Sequence, residues 1–297
     1  MRLLVLGKSG QVGWELQRAL LPLGDVVALG HTEADFEDAA QLRRAVQDAA
    51  PDIIVNASAY TAVDKAESEP DRADRINHRA VGELAELAAA RDAWLIHYST
   101  DYVFDGRKPL PYVETDAVGP AGVYGRSKLD GERAVAASGA RALVLRTSWV
   151  HAGRGHNFIR TMLRLARERD SLRVVDDQIG APTSAALIAD VTAHAIAAVA
   201  RGEPPAPGLY HLAAAGETSW HGLACFVVDE ALRRGATLTT APERIVAIPT
   251  SQYPTPARRP ANSRLDTSKL RTALGISLPD WRVPAARSVQ ELLADRL

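Results

Sequence analysis

Cysteine is all but missing from this chain: Cys225 stands alone among 297 residues, so neither an internal disulfide nor a cysteine-rich metal site can form. It falls inside the helical apolar pattern Trp220 to Leu232 and reads as a buried core thiol. An excess of either charge is missing too. Lys+Arg 35 against Asp+Glu 36 leaves a net charge of -1, and no basic run is long enough to track a phosphate backbone, which argues against nucleic acid as a partner. Long apolar runs are also absent. Residues 1 to 6 are broken by Gly7 before they could form the apolar region of a signal peptide, and no later run approaches the ~20 residues that span a bilayer. A soluble, cytoplasmic protein without a membrane segment is expected. No internal repeat or low-complexity tract appears.

What is present is an alternation of strands and helices. Residues 2 to 6 read as a fully buried strand that runs into Gly7-Lys8-Ser9-Gly10-Gln11-Val12-Gly13 and then a helical pattern from Trp14 to Leu21. Glycines at 7, 10 and 13 free the turn, let backbone approach a pyrophosphate closely and aim a helix amino terminus at its charge. Further strands are expected at 26–29, 52–55, 93–96 and 143–146, separated by helices over 39–50, through about Arg91, and around Tyr124. This is an α/β pattern: a Rossmann-type, doubly wound parallel sheet whose ligands bind beyond the carboxyl strand ends. We place a dinucleotide-binding region at residues 1–150 and a smaller C-terminal substrate lobe, mainly 151–297, with segments returning to the Rossmann sheet.

Several polar residues fall at those strand ends. Gly30 stands where an acid binding a free ribose 2'-hydroxyl is usual, which leaves the choice between NADPH and NADH open. Asp35-Phe36-Glu37-Asp38 leads the second helix, with its acids equally suited to capping. Asn56-Ala57-Ser58-Ala59-Tyr60-Thr61 offers small residues that permit close approach of a dinucleotide. His97-Tyr98-Ser99-Thr100-Asp101 ends a strand, and Tyr124 and Lys128 follow four apart on one helix face. Using a phenol near neutrality means lowering a pKa of about 10 by roughly three units, about 4 kcal/mol, to which a neighbouring cation contributes. The hydroxyl of Ser99 or Thr100 could hold a carbonyl oxygen against that phenol. Trp149 is either a stacking surface for a substrate or a core residue; His151 and His156 are without metal-ligand companions and read as surface residues. Between Pro249 and Pro260 a proline-stiffened loop carries Arg258 and Arg259, suited to a diphosphate or to solvent.

Taken together, Gly7 to Leu16, Asn56 to Glu69, His97 to Phe104, Val123 to Lys128, Arg146 to Trp149, Gly180 to Thr183 and Pro249 to Asn262 resemble the dTDP-4-dehydrorhamnose reductase family, extended members of the short-chain dehydrogenase/reductase superfamily. The resemblance implies reduction of the C4 ketone of dTDP-4-dehydro-β-L-rhamnose by NADPH or NADH. It implies Tyr124 as proton donor, Lys128 as the group that lowers its pKa and holds the nicotinamide ribose, and Thr100 as partner of the reacting oxygen. Asp101, Trp149 and Arg259 would meet the sugar nucleotide. Gly7, Gly10, Gln11 and Val12 would meet the cofactor pyrophosphate, Asp35 and Phe36 the adenine side, and Ser58, Ala59, Tyr60 and Thr61 its midsection. Family members also dimerise through magnesium held by glutamates: Glu15 and Glu291 match, but Ala186 stands where a carboxylate is expected, so we expect a monomer or a homodimer without the ion. Alternatives with the same fold are another nucleotide-sugar reductase or epimerase, and a non-catalytic NADP-binding regulatory subunit of the kind that serves methionine adenosyltransferase. The presence of Thr100, Tyr124 and Lys128 argues against the last.

Overall fold

The computed structural model describes residues 1–294, so the last three residues of the expected lobe lie outside the described residues. The first half contains β1 (Arg2–Leu6), α1 (Gln11–Leu20), β2 (Asp25–Leu29), α2 (Ala39–Ala49) and β3 (Ile53–Asn56). Short helices α3 (Val63–Ala66) and α4 (Pro70–Asp74), a π-helical turn Arg75–Arg79, and α5 (Ala80–Ala90) lead to β4 (Trp94–Thr100), α6 (Val123–Ala137) and β5 (Arg141–Thr147). Next come β6 (Val150–His151), α7 (Phe158–Glu168), β7 (Leu172–Val175), β8 (Ile179–Gly180), β9 (Thr183–Ser184) and α8 (Ala185–Ala200). The chain continues through β10 (Gly208–His211), β11 (Thr218–Ser219), α9 (Trp220–Arg233), β12 (Ile245–Ile248), α10 (Ser268–Leu274) and α11 (Arg282–Ala294).

Six parallel strands in the order β2-β1-β3-β4-β5-β10 form the central sheet. Strand β1 shows why it is covered on both faces. Leu3 and Val5 point to one side, where they meet Leu16 and Leu20 of α1 and Ile188 and Ile196 of α8; Leu4 and Leu6 point to the other, against Leu42 and Val46 of α2 and Leu84 of α5. Each such fully buried side chain contributes roughly 1.5–3 kcal/mol, which fixes the register. The chain steps outward from β1 to β2 and then crosses back to β3, so a crevice opens between the carboxyl ends of β1 and β3.

A third core lies outside the sheet, where α7, α9 and α11, with Trp281 just before α11, pack Ile159, Leu163, Leu223, Val227 and Val289 together against the parallel pair β7 and β12. Most boundaries lie within a few residues of those read in the sequence, and two of the shifts matter here. Helix α1 starts at Gln11, because its amino terminus is set by Gly10 and not by apolar periodicity. Strand β4 continues through Thr100 by pairing Ser99 and Thr100 with Arg146 and Thr147 of β5.

Candidate active site

The turn after β1 is shaped for close approach. Gly7 has φ +88°, and a Cβ there would lie 2.9 Å from the backbone of Ala57 and Ser58, so the turn presses on the loop after β3. A Cβ on Gly13 would lie 2.0 Å from the Gly7 carbonyl oxygen, so helix and turn touch as well. No side chain caps α1 and no acid sits in its first turn, leaving the backbone N–H groups of its amino terminus to an anion. These residues fit a dinucleotide pyrophosphate. At the end of β2, Glu33 folds back: its Oε2 accepts the Gly30 N–H at 2.8 Å, and Lys8 Nζ pairs with it at 2.5 Å. A carboxylate therefore occupies the neighbourhood where Gly30 offers none. Asp35 accepts the Glu37 N–H at 2.8 Å, while Phe36 is buried among Leu4, Leu6 and Leu42 and can present only backbone to an adenine. Asp38 caps α2 through the N–H groups of Ala40 and Gln41. In the loop after β3, Asn77 grips Tyr60 from both sides, accepting its N–H at 2.9 Å and donating to its carbonyl at 3.0 Å.

The reactive groups gather at the end of β4. Adjacent strand residues face opposite ways, and Ser99 is bound to Glu132 at 2.5 Å, which Arg146 also holds with two bonds of 2.8 and 2.6 Å. Thr100 is thus the hydroxyl that faces the Tyr124 phenol. Burial pushes that phenol up to about 12, with the Thr100 hydroxyl drawing it down and the charge of Asp101 raising it. Lys128 stands one helical turn further along α6. Its Nζ donates to the Tyr98 carbonyl at 2.6 Å and lies 3.3 Å from His97 Nε2, and burial brings the amine down to about 8. Asp101 is buried, with Oδ2 lacking any hydrogen-bond partner, and burial raises its carboxyl to about 6, partly offset by the hydroxyls of Ser263 and Thr100.

Across from these groups, Trp149 has φ +50°, and its ring stacks on Trp220 at 3.5 Å and 10°. It fits because position 180 is glycine: a Cβ there would lie 2.6 Å from the Trp149 ring. Arg259 donates to Asp64 at 2.7 Å, and its Nη1 is buried without a partner. A cavity of about 460 Å³ lies beside it, lined by residues that include Asp105, Arg107, Asp177, Tyr253 and Arg258. A larger one, about 600 Å³, follows the edge strand β2 between Arg2 and Asp48, away from the Thr100 and Tyr124 pair.

Some expectations need correction. His151 is buried, 3.0 Å from Ser288 Oγ, because β6 pairs with β9 beneath α11. Cys225 is only half-buried, 3.6 Å from His221 Nε2, and burial raises its thiol pKa. Glu15 lies beyond the first turn of α1 and pairs with Arg18 at 3.2 Å; Glu291 pairs with Arg287 at 2.9 Å. Among the described residues no three His, Cys, Asp or Glu side chains are gathered to hold a metal ion. Sequence reading assigned no role to His97, Glu132, Arg146, Asn77, Glu33 or Trp220. For the first three a signal existed, since ionisable residues inside apolar strand and helix patterns need buried partners.

The RmlD substrate binding domain model matches residues 1–294. The chain belongs to this reductase family. It is similar to a dTDP-4-dehydrorhamnose reductase of Shigella flexneri, 52% identical over 296 residues, which are 98% of each chain. Among solved structures, the dTDP-4-dehydrorhamnose reductase of Clostridium acetobutylicum superposes with TM-score 0.90 at 30% identity, covering 99% of this chain and 100% of that one. That of Bacillus anthracis, solved in complex with NADP, superposes with TM-score 0.88 at 30% identity over 99% of each chain. The family's fold thus extends through the lobe that carries Trp149, Trp220 and Arg259.

Proposed function

We propose that the protein reduces the C4 ketone of dTDP-4-dehydro-β-L-rhamnose to give dTDP-β-L-rhamnose, with NADPH or NADH as reductant. The observation that carries this reading is the juxtaposition of Thr100 and Tyr124 at the carboxyl end of β4, beside the crevice that Gly7 and Ala57 define. When bound there, the nicotinamide supplies the hydride. Thr100 Oγ1 orients the ketone oxygen, and Tyr124 gives its proton to that oxygen as it becomes an alkoxide. A phenol at about 12 suits this direction: it stays protonated at neutral pH, yet still gives its proton readily to an alkoxide, whose conjugate acid lies near the ~15.7 of water. Lys128 then stabilises the tyrosinate from the next turn of α6. Trp149, held flat by Trp220, and Arg259 present a stacking face and a cation to the sugar nucleotide.

The test is loss of NADPH absorbance on adding dTDP-4-dehydro-6-deoxyhexose together with the epimerase that acts before it. No oxidation above the rate without sugar overturns the reading. Tyr124→Phe should keep cofactor binding and lose turnover by roughly two to four decades, the contribution of a positioned general acid. Turnover within a few-fold of the parent removes Tyr124 from that role.

A further inference from the structure

His97 sits in the middle of β4, fully buried, and no step above uses it. Its Nδ1 is 3.1 Å from Asn56 Nδ2 and its Nε2 is 3.3 Å from Lys128 Nζ. The Asn56 amide is not free to choose its face, because Oδ1 accepts the backbone N–H of Ser58 at 2.9 Å. Its NH₂ is therefore the side turned to the ring, and an N–H needs an acceptor, so Nδ1 carries the lone pair. Burial holds the imidazole neutral, well below its ordinary range. A neutral ring has one N–H, which here falls on Nε2 and points at Lys128. An ammonium has no lone pair to receive it; a neutral amine has one. While Ser58 holds Asn56 in this orientation, the ammonium form of Lys128 is thus disfavoured and the amine loses its proton at a lower pH. Releasing Ser58 and flipping the amide would let the ring carry its proton on Nδ1 and offer Nε2 to an ammonium.

We propose that His97 is a positioning residue for the reduction: steered by Asn56, it sets the charge of Lys128 and ties the Tyr124 and Lys128 pair to the loop after β3 that borders the dinucleotide crevice. The inference rests on the reductase reading. The other charged group that acts on Lys128 is Glu132 on α6, which Arg146 on β5 holds by hydrogen bonds.

The experiment is the pH dependence of kcat/KM at saturating NADPH. Asn56→Asp places an acceptor-only carboxylate against Nδ1, so the ring must carry its proton there and Nε2 must accept from a charged Lys128. The basic limb should move up by about half a pH unit or more. Made in a His97→Gln background, the same substitution should leave the limb in place, because the imidazole that couples the two positions is gone. An unmoved limb in Asn56→Asp alone overturns the proposal, as does an equal shift with and without His97, which would mean direct attraction between the carboxylate and Lys128. Independently of turnover, nitrogen-15 spectra of the histidine-labelled protein should show His97 neutral with its proton on Nε2; a proton on Nδ1 overturns the wiring. Should the parent protein show no sugar-dependent turnover, the reductase reading fails, and the spectra still decide the tautomer.

Discussion

Asp101 is a carboxylate placed where water scarcely reaches it, and its pKa of about 6 makes a stability prediction with a definite sign. The folded protein binds this proton more tightly than the unfolded chain does, so the penalty for an ionised Asp101 is absent below the unfolded value near 3.8 and grows as pH rises to about 6. Asp101→Asn should therefore stabilise the fold at pH 8 but not at pH 4, by at most roughly 3 kcal/mol, about two pKa units at 1.36 kcal/mol each, and raise the melting temperature accordingly. A calorimetric difference that does not depend on pH would show that burial of the charge is not what the substitution relieves. Activity should fall at the same time, since the carboxyl borders Thr100 and Tyr124. Position 30 offers a second test. A Cβ on Gly30 would stand 3.4 Å from Lys8 Cε and 3.5 Å from Glu33 Oε2, so an aspartate fits. Gly30→Asp should shift the NADH to NADPH ratio of kcat/KM upward by about tenfold or more, because a hydrogen bond to a charged group contributes ~1.5–3 kcal/mol and a 2'-phosphate is repelled. An unchanged ratio would mean that Glu33 already does this work, or that the ribose lies elsewhere.

At the scale of elements, helix α6 is the part that has to be placed well. It lies against backbone at two glycines: a Cβ on Gly125 would be 2.2 Å from the Tyr102 carbonyl oxygen, and one on Gly131 would be 2.2 Å from that of Asn77. The π-helical turn at Arg75–Arg79 carries Asn77 into this contact, where its amide also reaches Ser127 at 3.1 Å. Gly131→Ala should favour the helix by about 1 kcal/mol through propensity and lose more, ~1–3 kcal/mol, through overpacking against main chain that cannot yield. The denaturant midpoint should fall; a rise would show that α6 and the π turn can separate at little cost. Little of this was legible beforehand. The spacing of Tyr124 and Lys128 was, because four residues make a helical turn whatever surrounds them, but the direction of the lysine depends on β4, which delivers His97 and the Tyr98 carbonyl from some thirty residues away.

For the whole molecule, the face bearing Glu15 has satisfied its charges within one chain. Arg18 bonds both Glu15 at 3.2 Å and Asp190 at 2.8 Å, and Arg154 covers the ring of Trp14 at 3.7 Å. Magnesium demands near-octahedral oxygens and gives up its waters reluctantly, so to reach Glu15 it would have to break these pairs. Sedimentation should thus be the same in excess magnesium and in excess EDTA, and a dimer that dissociates on chelation and returns with magnesium would contradict this. The sequence by itself determined the parts that obey local physics: a turn that needs glycine at positions 7, 10 and 13, strands and helices told apart by their periods, and a phenol, an amine and a threonine hydroxyl near strand ends. Tertiary structure alone decided which of Ser99 and Thr100 meets the phenol, since an alternation of one residue turns each to an opposite face and Glu132 claims the first. It also decided that Trp149 lies on Trp220, that Glu33 covers Gly30, and that Asn56 orients His97 against Lys128. Each of these rests on a contact whose partners are chosen by packing: burial raises the cost of an unpaired polar group, and the fold supplies whichever partner it has brought within reach.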